Sequence, residues 1–383
     1  MILQLAQLFG QEGTDPFSII FNILFFVLIF ISMFYGQKIQ AWKASKDIEA
    51  ALEKLKSWRD ESKQILLNKF KKFASKEETD KDLMLKIEDF INFITIGPVD
   101  LDPTGIIPKF DHIVNVRDNR YEEEVEKLAP KADNVQRQNL ENLLEATMAV
   151  DYVYRLIKHY LILGKKSKSM LLLMQIAMQL TLIMAMAKSY YYATKAFSEG
   201  SPIGDGLGAM VAGSFVRNII GDSKAEPIEI EKDTIYQELT FEDRTIFVVR
   251  AKGPGGCVGK PGKAIKELVE KYGDAVSRII MIDAGLKLEG EKTGSIAPGV
   301  GAAIGGIGIE KYFIEESSTG KKIPIDAFVC KESLENAITT MSRSITSSVP
   351  HIVDRIKDTI KSRTEKGSKV IIAGIGNTIG IGI

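Results

Sequence analysis

Cysteine and histidine are scarce here, with two of the one and three of the other among 383 residues. Cys257 and Cys330 stand in no CxxC or metal-ligand spacing, which excludes a disulfide framework. Both read as small buried hydrophobes in a reducing compartment. His112, His159 and His351 share no motif, so no histidine-rich metal site is expected. A surplus of one charge is also missing, since 50 Lys and Arg balance 50 Asp and Glu. Without a global basic field, no nucleic-acid partner is expected. Internal repeats and low-complexity tracts are absent. Charged residues still make up 26% of the chain, so it is not simply a bundle of membrane spans.

One long apolar run is present. Phe17 to Tyr35, FSIIFNILFFVLIFISMFY, is 19 residues without a charge, close to the roughly 20 that a helix needs to cross a bilayer. No basic segment precedes it and no Ala-x-Ala site follows, which argues against a cleaved signal peptide. Glu12 and Asp15 lie before the run, and Lys38, Lys43 and Lys46 lie after it. The positive-inside rule then predicts a single-pass protein of the cell membrane, N-terminus outside and C-terminal domain cytoplasmic. Leu3, Leu5, Leu8 and Phe9 are candidates for the outer interface. Residues 1–36 form the expected anchor, with the lipid bilayer as partner.

Residues 37–199 read as all-helical. From Gln37 to about Ser75, Ile39, Trp42, Leu52, Leu55, Leu66, Phe70 and Phe73 recur at helical spacing among many Lys and Glu. This is a stalk that packs on its neighbours or, through its imperfect heptads, a coiled coil that makes a homo-oligomer. Further helices are expected over Lys81–Ile94, from near Asp118 to a break at Pro130, and over Asn134–Leu163. Turn residues Gly97, Pro98, Pro103, Gly105 and Pro108 separate the first two. Met170 to Ala187 is uncharged, interrupted by Gln175 and Gln179, and rich in methionine. It is read as a buried core helix in preference to a second span.

After Tyr192 glycine becomes frequent and the pattern turns to strand, loop and helix, the mark of an α/β domain with helices on both sheet faces. Its expected range is 200–383. Expected strands are Thr234–Phe241, Thr245–Arg250, Arg278–Ile282, Ile323–Val329 and Lys369–Ala373. Expected helices are Ala209–Ile220, Pro261–Tyr272, Glu332–Ile345 and Ile352–Arg363. The run Ile279–Ile282 reads as a buried parallel strand that delivers Asp283 to its carboxyl end, where ligands bind in open α/β sheets.

Four glycine-rich loops flank these elements. Gly200–Gly208 carries Asp205, whose alternative role is an N-cap. Gly253–Gly262 suggests a phosphate cradle but fails the Walker pattern, with Pro254 in place of the first glycine and Pro261 in place of Ser or Thr. No cofactor is expected, although a generic anion site at the helix N-terminus stays open. The remaining loops are Gly294–Gly308 and Gly374–Asn377.

The segment Ile280–Gly301, with IMIDA, a spacer and IAPGVG, resembles the germination proteases of spore-forming bacteria. SPIGDGLGAMV, residues 201–211, resembles that family's first aspartate motif and also the Asp-Gly-Leu-Gly turn of hydrogenase maturation proteases. The strand and helix of KKIPIDAFVCKESLENAI are similar as well. The resemblance covers about half the chain, from Gly200 onward, and implies a phosphorylase/hydrolase-like mixed sheet. It makes Asp205 and Asp283 the catalytic pair and a protein or peptide the substrate. The whole chain resembles an archaeal membrane family known as a domain of unknown function, family 1512. Gly204, Gly206, Gly208, Gly299 and Gly301 suit close backbone approach to a ligand, and with Asn377 they are the expected ligand-binding residues. Ala209 stands where the protease family has proline, and Gly285-Leu-Lys where it has small residues and an arginine. Its Gly-x-Gly-Asn strand, which precedes the first motif there, occurs here at Val370–Asn377. Circular permutation would require Asn377 to lie beside Asp205.

Two carboxylates brought close resist joint ionisation, so one can hold a proton and the other accept one. His351 could join them through folding. The residues therefore support an aspartate-dependent peptidase-like hydrolase, with a paired-acid metal site as a variant. The alternative is a non-catalytic membrane scaffold or ligand-binding module that oligomerises through its helices.

Overall fold

The apolar run and the stalk form one helix, α1 (Pro16–Phe73), in the computed structural model, which describes residues 16–75, 79–99, 105–221, 226–306 and 308–382. Leu3, Leu5, Leu8, Phe9, Glu12, Asp15 and Pro103, used above, lie outside the described residues. Four helices follow: α2 (Asp80–Ile91), α3 (Ile106–Leu128), α4 (Asn134–Lys166) and α5 (Met170–Glu199). Local signals set their ends. Thr79 Oγ1 accepts from Asp82 N at the start of α2. Asp133 and Gln136 exchange bonds of 2.8 and 3.0 Å in a capping box before α4. Helix α3 begins well before Asp118, because Pro108 is tolerated in a first turn, and it stops at Leu128, two residues before Pro130.

The chain divides into two compact units, Met1–Lys56 with Tyr154–Met184, and Ser57–Val153 with Ala185–Ile383. In the first, Ala41, Ala44, Ile48, Ala51 and Leu55 are buried at alternating spacings of three and four, a heptad seam. Lys165 of α4 pairs with Glu49 of α1, and Tyr154, Ile157, Leu161, Leu173 and Ile176 are buried in the same unit. Helices α1 and α4 therefore meet in this unit. Helix α5 departs from expectation. It is long and apolar enough to cross a membrane, yet only 17% of its most apolar window is buried, and Leu171, Met178 and Leu182 are exposed. It is not a buried core helix. Helix α1 is bent by 50° between Ile19–Ile31 and Tyr35–Phe73, which taken together are also long and apolar enough to cross a membrane.

In the second unit a helical core gathers Leu66, Phe70, Ile87, Tyr121, Val125, Leu143, Leu144 and Phe197. Beside it lies the α/β part: α6 (Leu207–Ile220), β1 (Ile228–Glu231), β2 (Thr234–Phe241), β3 (Arg244–Ala251), α7 (Pro261–Tyr272), β4 (Val276–Leu286), β5 (Ile296–Val300), α8 (Ile309–Lys321), β6 (Ile325–Glu332), the short α9 (Leu334–Ile338) and α10 (Arg343–Thr346), α11 (Val349–Arg363) and β7 (Lys369–Gly374). Among the described residues the sheet has seven strands in the order β1-β2-β3-β7-β4-β6-β5. Strands β3, β7, β4 and β6 are parallel, and β1, β2 and β5 are antiparallel to their neighbours. Alternation along the central strands explains the layers. Ile246, Val248, Ile280, Ile282, Val370 and Ile372 face α6 and α11. Phe247, Val249, Ile279, Met281 and Ile371 face α7 and share a core with Ile314 of α8. The domain is α/β with a mixed sheet and helices on both faces.

Three expectations need correction. Strand β4 continues past Ile282 to Leu286, so Asp283 lies within it, paired with Val329. The helix expected over Glu332–Ile345 is a strand end followed by two short helices, since Ser333 caps α9 by accepting from Asn336 N. Strands β1 and β5 and helix α8 stand where the sequence pattern places no element. Pro298 and Gly299 disguise β5, and both are tolerated because it is an edge strand.

Candidate active site

Asp205 opens the site from a single 3₁₀ turn, Gly204–Gly206, just before α6. It does not cap that helix. The cap position is Gly206 without a side-chain bond, and Asp205 Oδ2 instead accepts from Asn377 N at 2.8 Å. The loop after β7 and the turn before α6 therefore meet. Their approach depends on glycine. A Cβ on Gly208 would stand 2.2 Å from Ile375 O and 2.4 Å from Ile282 O, and one on Gly206 would stand 2.5 Å from Asn377 O.

Asp283 comes from the adjacent β4, 78 positions later in the chain. It is 7% exposed and accepts from Ala284 N at 2.8 Å. Asp205 and Asp283 line one cavity of about 450 Å³ just past the carboxyl end of β7, beside the stretch of β4 that runs on beyond it, the end at which open α/β sheets bind ligands. Gly305, Gly306 and Gly308 line it from the loop before α8, and Lys260 from the loop before α7. Asp111, Asn115, Arg117 and Asp118 of α3 form another wall. Lys263 pairs with Asp111 at 2.8 Å, and Lys260 Nζ donates to Asn115 Oδ1.

The electrostatics follow from burial. Asp283 is pushed up to about 8, first by desolvation and then by the charge of Asp205, against the opposing N–H groups of Ala284 and Gly305. Asp205 is also raised by desolvation, and the Asn377 N–H pulls the other way. A third carboxylate lies behind them. Glu332, at the end of β6, is 1% exposed, and neither of its carboxylate oxygens has a partner among the described residues. A Cβ on Gly204 would stand 2.2 Å from its Oε2. Burial and the charge of Asp205 raise Glu332 to about 7. Sequence reasoning missed it by placing Glu332 at a helix start, where an acid is unremarked.

The other expected residues divide. Gly204, Gly206 and Gly208 lie at the site, but their bare α-carbons meet protein atoms of Glu332, Asn377 and Ile375. Asn377 binds Asp205 through its backbone and Asn142 Oδ1 through its side chain, at 2.8 Å. Gly299 lies on β5 opposite Ala327, and Gly301 N reaches Ile325 O at the start of β6. Because β5 runs antiparallel, it carries both toward the opposite edge of the sheet. The loop glycines at the cavity are Gly305, Gly306 and Gly308 instead. His351 is exposed on α11 and does not line the cavity. The anion site anticipated at the N-terminus of α7 is filled from within, since Glu310 Oε2 accepts from Gly262 N at 2.6 Å and Lys263 N at 3.3 Å. Among the described residues, no three His, Cys, Asp or Glu side chains are grouped to hold a metal.

Two family models match successive parts of the chain. The protein of unknown function (DUF1512) N-terminal domain matches residues 22–200, and the domain of unknown function (DUF1512) C-terminal matches residues 203–382. The chain belongs to the DUF1512 family. No curated protein matches it. In DUF1512 terms, Asp205, Asp283, Glu332 and Asn377 all fall in the C-terminal domain, whereas the α3 wall of the cavity belongs to the N-terminal one.

Proposed function

We propose that this protein is a membrane-anchored, peptidase-like hydrolase in which Asp205 and Asp283 act as an acid–base pair. One observation carries the reading. Two acids far apart in sequence line one cavity at the carboxyl edge of the sheet, and the charge of one raises the other. At neutral pH, Asp283 holds a proton and Asp205, held by the Asn377 N–H, is the ionised member of a pair that titrates together. Asp205 takes a proton from water as its oxygen attacks a carbonyl, and Asp283 gives its proton to the departing amine. Lys260 and Arg117 supply positive charge to the same cavity for an anionic part of the substrate. The likeness of IMIDA and SPIGDGLG to the germination proteases points to an amide bond as the target.

The test is hydrolysis of a fluorogenic peptide library by the full chain in detergent. Wild-type turnover with a loss of about 10²- to 10⁴-fold in Asp283→Asn and Asp205→Asn is expected. Equal rates would remove the pair from catalysis. For the anchor, the exposed apolar side chains of Phe17–Ile31 are covered by lipid, with the α/β domain on the cytoplasmic side. In sealed inside-out vesicles the α/β domain should be digested by added protease. Protection of that domain would reverse the orientation.

A further inference from the structure

Among the described residues Arg250 is the largest side chain that is fully buried, at 1% exposure. It projects from β3 on the face covered by α6, away from the acid pair. A guanidinium carries five N–H donors and stays charged in proteins. Here Nη1 donates to Ala251 O at 3.0 Å and Nη2 reaches Gln237 Oε1 at 3.4 Å, while Nε–H has no acceptor among the described residues. None of these partners is a carboxylate, and no described acid forms an ion pair with Arg250. A buried charge without a counter-charge is costly enough that proteins rarely keep one.

The surroundings indicate what completes it. Arg250 and Gln237 line a cavity of about 580 Å³ between α6 and the β2–β3 side of the sheet. Arg217, on the last turn of α6, stands exposed at its mouth and makes no ion pair among the described residues. Lys252 also lines it, bound at 2.6 Å to Glu229, which leaves Glu226 as the one lining acid without an ion pair among the described residues. The balance inside is positive. Burial alone depresses the Arg250 guanidinium to about 10, the direction expected of a cation with nothing opposite it.

We propose that this cavity binds a small oxyanion, a phosphate or carboxylate group, with Arg250 as its buried anchor and Arg217 as its outer contact. A carboxylate or a phosphate offers two oxygens to the guanidinium fork and satisfies two N–H groups at once. The cavity is separate from the acid pair but shares a loop with it. After Arg250 the chain passes Lys252, Gly253 and Pro254 at this cavity, and then Val258, Gly259 and Lys260 at the other. An anion seated on Arg250 therefore contacts the strand and loop that lead to Lys260.

The test uses the full chain in detergent at constant ionic strength, titrated by calorimetry with inorganic phosphate and, separately, with acetate. Saturable binding of either supports the site, and the preferred anion distinguishes a phosphate-bearing from a carboxylate-bearing ligand. Arg217→Gln lies at the exposed mouth, so it should fold normally and weaken binding about tenfold, the loss of one charge-assisted contact. Arg250→Met should abolish binding. If that variant fails to fold, Arg217→Glu decides in its place, with no binding expected. Absence of saturable binding by wild type, or wild-type affinity in both Arg217 variants, would overturn the proposal.

Discussion

Asp283 and Arg250 both lie on central strands of one sheet, at 7% and 1% exposure, yet their burial is relieved in different ways. A carboxylate can take up a proton and become neutral, and Asp283, raised to about 8, does so near physiological pH. A guanidinium has no such escape, so Arg250 must find a charge from outside itself. The same desolvation therefore yields a proton-holding group in one place and a demand for an anion in the other. Helix α6 links the two, with Asp205 just before its first turn and Arg217 on its last.

The sharpest way to break this contrast is to make Asp283 permanently neutral. Asp283→Asn should lose about 10²- to 10⁴-fold in hydrolysis, while at pH 8 its unfolding midpoint matches or exceeds that of wild type, because the cost of a buried charge is gone. Activity lost together with stability would mean a structural role instead. Next in size is Gly208→Ala, which tests whether the two regions share a support. Its new Cβ would meet two backbone carbonyls that cannot yield, for a loss on the order of 2–4 kcal/mol. Thermal melts should show the drop, and phosphate affinity and hydrolysis should fall together.

Acidification gives a smaller effect with a definite sign. Asp283 and Glu332 have folded pKa values of about 8 and about 7, above the usual carboxylate range. The native state thus binds more protons than the unfolded one, so their contribution is full below the unfolded pKa and is lost as pH rises through 7 and 8. Midpoints measured from pH 8 down to pH 5 should climb, and Glu332→Gln should flatten the lower part of that climb. The same substitution removes a charge that raises Asp283, so the alkaline limb of the pH–rate profile should move to lower pH. An unmoved limb would leave Glu332 without influence on the pair.

Much of this was legible in the chain. The unbroken apolar run before Asp283 reads as a strand buried on both faces, a local pattern that packing reinforces. The Gly-x-Gly-Asn at Gly374–Asn377 carries no such local signal for its meeting with Asp205, which entered only as a condition set by the protease resemblance. What escaped were features decided by pairing partners. Gly299 looked like loop chemistry and proved to be an edge strand, because the ladder to β6 overrides weak strand propensity. Glu332 looked like the acid at a helix start. Only the strand register places it behind Gly204. Arg250 carried no signal at all, since an arginine ending a hydrophobic strand normally turns to solvent.

Strand β7, the last strand in the described sequence, lies in the middle of the sheet between β3 and β4. During synthesis, the halves to either side must wait for residues 369–374 with an open slot between them. Such late, long-range closure makes for slow folding. It also means that Asp205 meets its backbone donor only when Asn377 arrives. A ribosome-bound chain stopped short of that point would present both aspartates as unconnected acids, so the joined cavity wall and the completed sheet arrive in a single step.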